Sequence, residues 1–327
     1  MSVKTDILTL FESQKELSVK EITDKLNVSK QMVHLVMKEL LEQETVEKFG
    51  RTPKTIYRFV SIRKVEEEQI PLISEKEQKF LQKHFLVVTE TGNLLESIEG
   101  FDYWCKKRNL PTIKTLKEFV QTKEKYASYY DKQGNINGFD KLKNTKGYEK
   151  IWLDDLYYLD FYAIERFGKT RLGSILHYAK QGQNKFLMKL MMDEIRERIS
   201  SFVKDQKADA VGFVPPTIRR EVQIMKFIQN NLQLPFPIIE IKKLSGIIPV
   251  PQKSLQKLDE RIVNAENTFA ITEKRTFKHV VLIDDAVGSG STLNQIAGKI
   301  KNKQVAKKVT GLAIVGSFKG FDVITDV

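Results

Sequence analysis

Residues 280–292 read Val-Val-Leu-Ile-Asp-Asp-Ala-Val-Gly-Ser-Gly-Ser-Thr, and no other stretch limits the fold as tightly. Four apolar residues without polar alternation predict a strand covered on both faces, as in the centre of a parallel sheet. The two acids and the run of small residues Gly288–Thr292 then predict a strand-loop-helix corner. Its loop lies at the strand's carboxyl edge, where open α/β sheets bind ligands, and the helix start offers unpaired N–H groups to an anion. Asp284 and Asp285 can accept hydrogen bonds from vicinal sugar hydroxyls. Gly288, Ser289, Gly290, Ser291 and Thr292 can wrap a phosphate with amides and hydroxyls.

Other readings of the corner fit less well. A phosphate loop of the ATPase type needs Gly-Lys-Ser/Thr, and here Gly290-Ser291-Thr292 has no lysine. A methyltransferase-type glycine loop opens its domain, whereas only 37 residues follow Gly290. An ordinary structural corner explains one acid and one glycine but not two adjacent acids and five small residues. The stretch resembles the ribose-phosphate grip of the type I phosphoribosyltransferases. From about Asp155 onward the order of features resembles the ComF-like branch of that family. Arg166-Phe-Gly-Lys-Thr-Arg-Leu-Gly173 and Tyr178-Ala-Lys180 stand in the lead-in, followed by a long helix over about 185–204. A first core strand at Ala208–Val214 ends in Pro215-Pro-Thr-Ile-Arg-Arg220, the next strand is Phe236–Lys243, and Pro251-Gln252, Glu260-Arg261, Asn264 and Phe269 match a second family pattern.

The resemblance implies a parallel sheet with flanking helices over residues 151–327, binding phosphoribosyl pyrophosphate or a nucleotide with Mg²⁺. Pro215, Pro216, Thr217, Arg219 and Arg220 take the place of the pyrophosphate loop, and Gln252, Lys257 and Arg261 that of a closing flap. Asp284 and Asp285 carry the catalytic role of holding the sugar and favouring positive charge at its reacting carbon. No metal cluster of the protein's own is expected. The cysteine-rich zinc ribbon of the family is absent, and two further departures near phosphate oxygens, a proline loop without its His and Gly288 where the family has Thr or Asp, bear on turnover more than on binding.

At 327 residues the chain suits two or three domains. It has no apolar run of bilayer length and no apolar leader at its N-terminus, so a cytoplasmic protein without a membrane partner is expected. One cysteine allows no internal disulfide, and the four histidines have no metal-ligand spacing. The net charge of +12 favours a polyanionic partner.

Residues 1–62 supply a place for one. Ile7, Leu8, Leu10 and Phe11 give a first helix its apolar face, and Ser18 caps a second with Val19, Ile22 and Leu26. Ser29 caps a third with Met32, Val33, Val36, Met37, Leu40 and Leu41, and Gly50–Lys54 form a hairpin tip. The order resembles winged helix-turn-helix DNA-binding domains. That resemblance implies base or phosphate contacts from Lys30, Gln31, His34 and Lys38 on the third helix and from Arg51 and Lys54 on the wing. A protein-binding winged helix is the alternative.

Residues 63–150 predict a mostly helical middle region, basic in its second half, with twelve Lys/Arg against six Asp/Glu over 102–150. Its Phe101, Tyr103, Trp104, Tyr126, Tyr129 and Tyr130 read first as an aromatic core and second as a base-stacking surface. Three functions remain open: a phosphoribosyltransferase, a DNA-bound regulator sensing phosphoribosyl pyrophosphate, and a nucleotide-depleting effector of phage defence or a toxin system. Association into a homo-oligomer is left open too.

Overall fold

The computed structural model describes residues 3–14, 16–42, 45–49, 55–59, 70–145, 148–216, 220–244 and 269–317. The chain divides into two compact units, Met1–Gln69 and Ile70–Val327.

The first unit contains α1 (Val3–Ser13), β1 (Glu16–Ser18), α2 (Val19–Leu26), α3 (Lys30–Glu42), β2 (Val46–Phe49) and β3 (Ile56–Phe59). Ser18 starts α2 through a reciprocal capping box with Glu21, and Asn27 ends it in the left-handed conformation at φ 50°. An antiparallel sheet in the order β1-β3-β2 closes the unit. Its core joins Ile7, Phe11, Leu17, Ile22, Val33, Met37, Leu40 and Tyr57. The expected tip residues Gly50, Arg51 and Lys54 lie outside the described residues.

The second unit opens with α4 (Glu75–His84), β4 (Leu86–Val88), β5 (Leu94–Glu96), α5 (Ser97–Lys106), α6 (Thr112–Ala127), β6 (Ile136–Asn137) and α7 (Phe139–Asn144). It continues with β7 (Asp155–Phe161), β8 (Ala163–Ile164), β9 (Gly168–Lys169), α8 (Arg171–Gln181), α9 (Lys185–Asp205), β10 (Ala210–Phe213) and α10 (Ile224–Leu232). Then come β11 (Ile241–Lys243), β12 (Phe269–Ile271), β13 (Phe277–Val287), α11 (Ser291–Asn302) and β14 (Ala306–Gly316). The main sheet runs β10-β13-β14-β7-β6, parallel throughout except for the antiparallel edge strand β6. It is a mixed α/β architecture whose parallel core is compatible with a phosphoribosyltransferase-like fold. No described helix is long and apolar enough to cross a membrane.

Two expectations change. The strand expected at Phe236–Lys243 is not a core strand. Pro237 lacks an N–H, and the segment meets β10 only in a bridge at Ile238, with Val211 donating to the Pro237 carbonyl and Ile239 to that of Val211. Only Ile241–Lys243 is extended, and it pairs with β12 instead. Conversely, Asp155–Phe161, expected in a lead-in segment, is a strand inside the sheet.

The middle region packs with the sheet. Phe101, Trp104, Leu116 and Phe119 share one core cluster with Val280, Leu282, Leu293 and Ile296. Phe85, Phe101 and Phe119 meet edge to face or tilted at 4.9–5.7 Å, and Trp104 stacks on Phe167 at 5.9 Å. Phe101, Trp104 and Tyr126 are buried and Tyr130 packs against the same core, whereas Tyr103 is half-buried beside Glu90 and Lys107 and Tyr129 is exposed, at 44%.

Candidate ligand site at the sheet edge

β13 stands between β10 and β14 and carries both acids. The ladder extends past them, pairing Asp284 with Ala313 and Val287 with Gly316, so the acids belong to the strand's last turn of pleat. Successive strand residues face opposite sides. Val281 and Ile283 join the core under α8 and α9, Val280 and Leu282 the core under α11, so Asp285 belongs to the first face and Asp284 to the second.

The two carboxylates have different environments. Asp285 is buried and ion-paired with the Lys180 ammonium at the end of α8. Asp284 accepts the Asp285 amide at 2.8 Å. Burial, followed by the neighbouring Asp285 carboxylate, raises the Asp284 carboxyl to about 7, with Lys180 acting in the opposite direction. Arg220 donates to the Lys180 carbonyl and, at 3.1 Å, to the Gln181 side chain. Of the expected pyrophosphate loop, Pro215 and Pro216 follow Val214, whose amide bonds Ile283, so this loop leaves the sheet beside the acids. Thr217 and Arg219 lie outside the described residues. So do Gln252, Lys257 and Arg261 of the expected flap, although the β11/β12 ladder, with Lys243 opposite Phe269, brackets the segment that holds them.

The small-residue loop turns through Gly290 at φ 84°, which favours glycine, and a Cβ there would stand 2.9 Å from Leu142 of α7. The helical ladder starts with Asn294 donating to the Gly290 carbonyl, so the first-turn amides of Thr292 and Leu293 precede it. Ser289 and Ser291 are buried, and their hydroxyls bond each other at 3.2 Å. Gly288 and Thr292 stay partly accessible.

A strap from the middle region crosses this loop. The Tyr148 hydroxyl donates to the Ser289 carbonyl at 2.9 Å. Asn294, fully buried, accepts from the amides of Trp152 and Leu153 at 2.7 and 3.3 Å and donates to the Lys150 carbonyl at 2.9 Å. Lys141 of α7 donates to the carbonyl of Ser317, whose own amide bonds Val287 at 3.1 Å. Lys141, Tyr148, Lys180 and Asn294 were absent from the sequence-derived site, because no local spacing reports a partner 100 or more residues away.

In the first unit Lys30, Gln31, His34 and Lys38 are all exposed on α3, with Met32 and Leu35 exposed beside them. In the same unit Arg58 is ion-paired with Glu16 and lies 4.7 Å over the Phe49 ring.

No protein-family model matches the chain, and no curated protein matches it. Among solved structures it is similar to a purine phosphoribosyltransferase from Pyrococcus horikoshii Ot3, with 18% identity, a TM-score of 0.22, and coverage of 41% of this chain and 93% of that one. At that identity and score the likeness carries nothing about substrate, reaction or partner.

Proposed function

We propose that the second unit binds a ribose 5-phosphate ligand, phosphoribosyl pyrophosphate or a nucleotide, as a ComF-like phosphoribosyltransferase-type domain. One observation carries this reading: adjacent carboxylates lie near the carboxyl end of an interior parallel strand, and the amide-bearing turn that follows it opens a helix. Asp284 and Asp285 supply acceptors for sugar hydroxyls, and the open amides at Thr292 and Leu293 suit a phosphate. Among the described residues no three metal-ligating side chains converge, and Lys180 already neutralises Asp285. Mg²⁺ would therefore be held chiefly by the diphosphate it arrives on, with Asp284 the carboxylate that would contact it. Bound that way, the ion neutralises charge building on a departing diphosphate.

Titration calorimetry with phosphoribosyl pyrophosphate and Mg²⁺ tests the reading, run beside an assay for diphosphate release with mixed nucleobases. Binding is expected, and the double variant Asp284→Asn/Asp285→Asn should weaken it at least tenfold. Unchanged binding in that variant would remove the site assignment. Diphosphate release separates an enzyme, or a nucleotide-depleting effector, from a sensor.

For the first unit we propose nucleic-acid binding through a winged helix, supported by the exposed, acid-free start of α3. Lys30→Ala with Lys38→Ala should lower the salt dependence of duplex binding by about two units of log K per log salt if each lysine meets a phosphate. An unaltered slope would point to a protein partner.

A further inference from the structure

Among the described lysines, Lys141 stands out. Its side chain is largely buried, yet among the described residues it meets no carboxylate and donates to one neutral acceptor, the Ser317 carbonyl. An ammonium has three N–H donors, and burying it without an anion is unfavourable. Burial alone lowers its pKa to about 8. No perturbation comes from Asp140 and Lys143 on α7, Asp155, Tyr158 and Asp160 on β7, Tyr148 of the strap, or Asp284 on β13.

The surroundings say what is missing. Ser317 follows β14 and bonds back to Val287, the last residue before Gly288, so the Lys141 ammonium stands where strand β13 hands over to the small-residue loop. Its neighbour Leu142 packs against Gly290, which fixes α7 on that loop. A partly buried cation, short of acceptors, thus sits at the strand end from which the loop leading to the open amides of Thr292 and Leu293 departs. A phosphate oxygen satisfies both.

We propose that Lys141 is a phosphate-binding residue of the ribose 5-phosphate site, contributed across the loop by α7. The proposal rests on the ligand class assigned above and adds a residue that the strand-loop-helix corner does not contain. On binding, the ammonium exchanges its carbonyl partner for an anion, forming the stronger, charge-assisted bond.

Calorimetry of the full chain with ribose 5-phosphate, from pH 7 to 10, tests this with wild type, Lys141→Met, Lys141→Arg and Asp284→Asn/Asp285→Asn. Lys141→Met should weaken binding on the order of 10–100-fold. Wild-type affinity should decline above about pH 8 as free Lys141 loses its proton, and Lys141→Arg, which stays charged, should show a flat limb. If Lys141→Met binds like wild type while the aspartate variant does not, the lysine assignment is overturned and the ligand class stands. If wild type binds no ribose 5-phosphate, both fall together. Should Lys141→Met fail to fold, the wild-type profile decides: a decline above pH 8 that Lys141→Arg abolishes supports the assignment, and a flat wild-type profile overturns it.

Discussion

At the scale of single residues, the site is governed by how two carboxylates share one ammonium. Burial and then the neighbouring Asp285 carboxylate disfavour ionising Asp284, while Lys180 forms an ion pair with Asp285. Native Asp284 keeps its proton up to about pH 7, whereas the unfolded side chain releases it near 3.8. The folded state therefore binds more protons across that window. The stabilisation is full below 3.8 and is lost as pH rises through 7. Asp284→Asn should consequently melt above wild type at pH 8, by an effect on the order of 1–3 kcal/mol, with the gap closing toward pH 5; thermal denaturation at both pH values checks this. Lys180→Met leaves Asp285 buried without its cation and should cost roughly 2–4 kcal/mol at pH 8 in urea unfolding.

At the scale of elements, the decisive feature is the strap laid by residues 138–145 and 148–153 over the start of α11. Asn294 holds it through three hydrogen bonds to backbone groups of Lys150, Trp152 and Leu153. Asn294→Ala strands those groups in the interior and should destabilise the unit by about 2–4 kcal/mol. It should also speed amide exchange in 148–153 ahead of the rest of the sheet, since local opening no longer breaks those bonds. Gly290→Ala meets two obstacles, a left-handed backbone and the Leu142 side chain 2.9 Å from the new methyl. A loss of roughly 1–3 kcal/mol is expected, with weakened ligand binding because the loop and α7 must separate. A circular dichroism melt beside calorimetry distinguishes the two effects.

At the scale of the whole molecule, the boundary that matters falls between Gln69 and Ile70, not at the end of the basic middle region. The aromatic cluster of Phe101, Trp104 and Phe119 forms part of the core beneath β13 and α11. A chain beginning at Ile70 should melt cooperatively and keep ribose-phosphate binding. One beginning at Ile151 removes one wall of that core, exposes Val280, Leu282 and Leu293, and should aggregate. Gel filtration and melting of the two chains settle the point. If the first unit binds duplex as proposed, the shorter chain should lose that binding entirely.

Features with a local physical signature could be read from the sequence. An apolar run without alternation gave β13, Ser18 marked the start of α2, and the 3.6-residue rhythm of α3 put Val33, Val36, Met37 and Leu40 inside and Lys30, Gln31, His34 and Lys38 outside, while Met32, grouped with the apolar set, is exposed. Asp284 and Asp285 were legible as a pair because they are adjacent. Their inequality was not, since it depends on Lys180 lying 105 positions away. Nor was the strap, in which Lys141 and Ser317 meet across 176 positions and Asn294 binds residues 150–153. Sequence patterns record which side of an element seeks water, because that preference is set within a few residues. Which buried charge finds a partner, and which remains without one, is decided only when distant segments close over the same strand end.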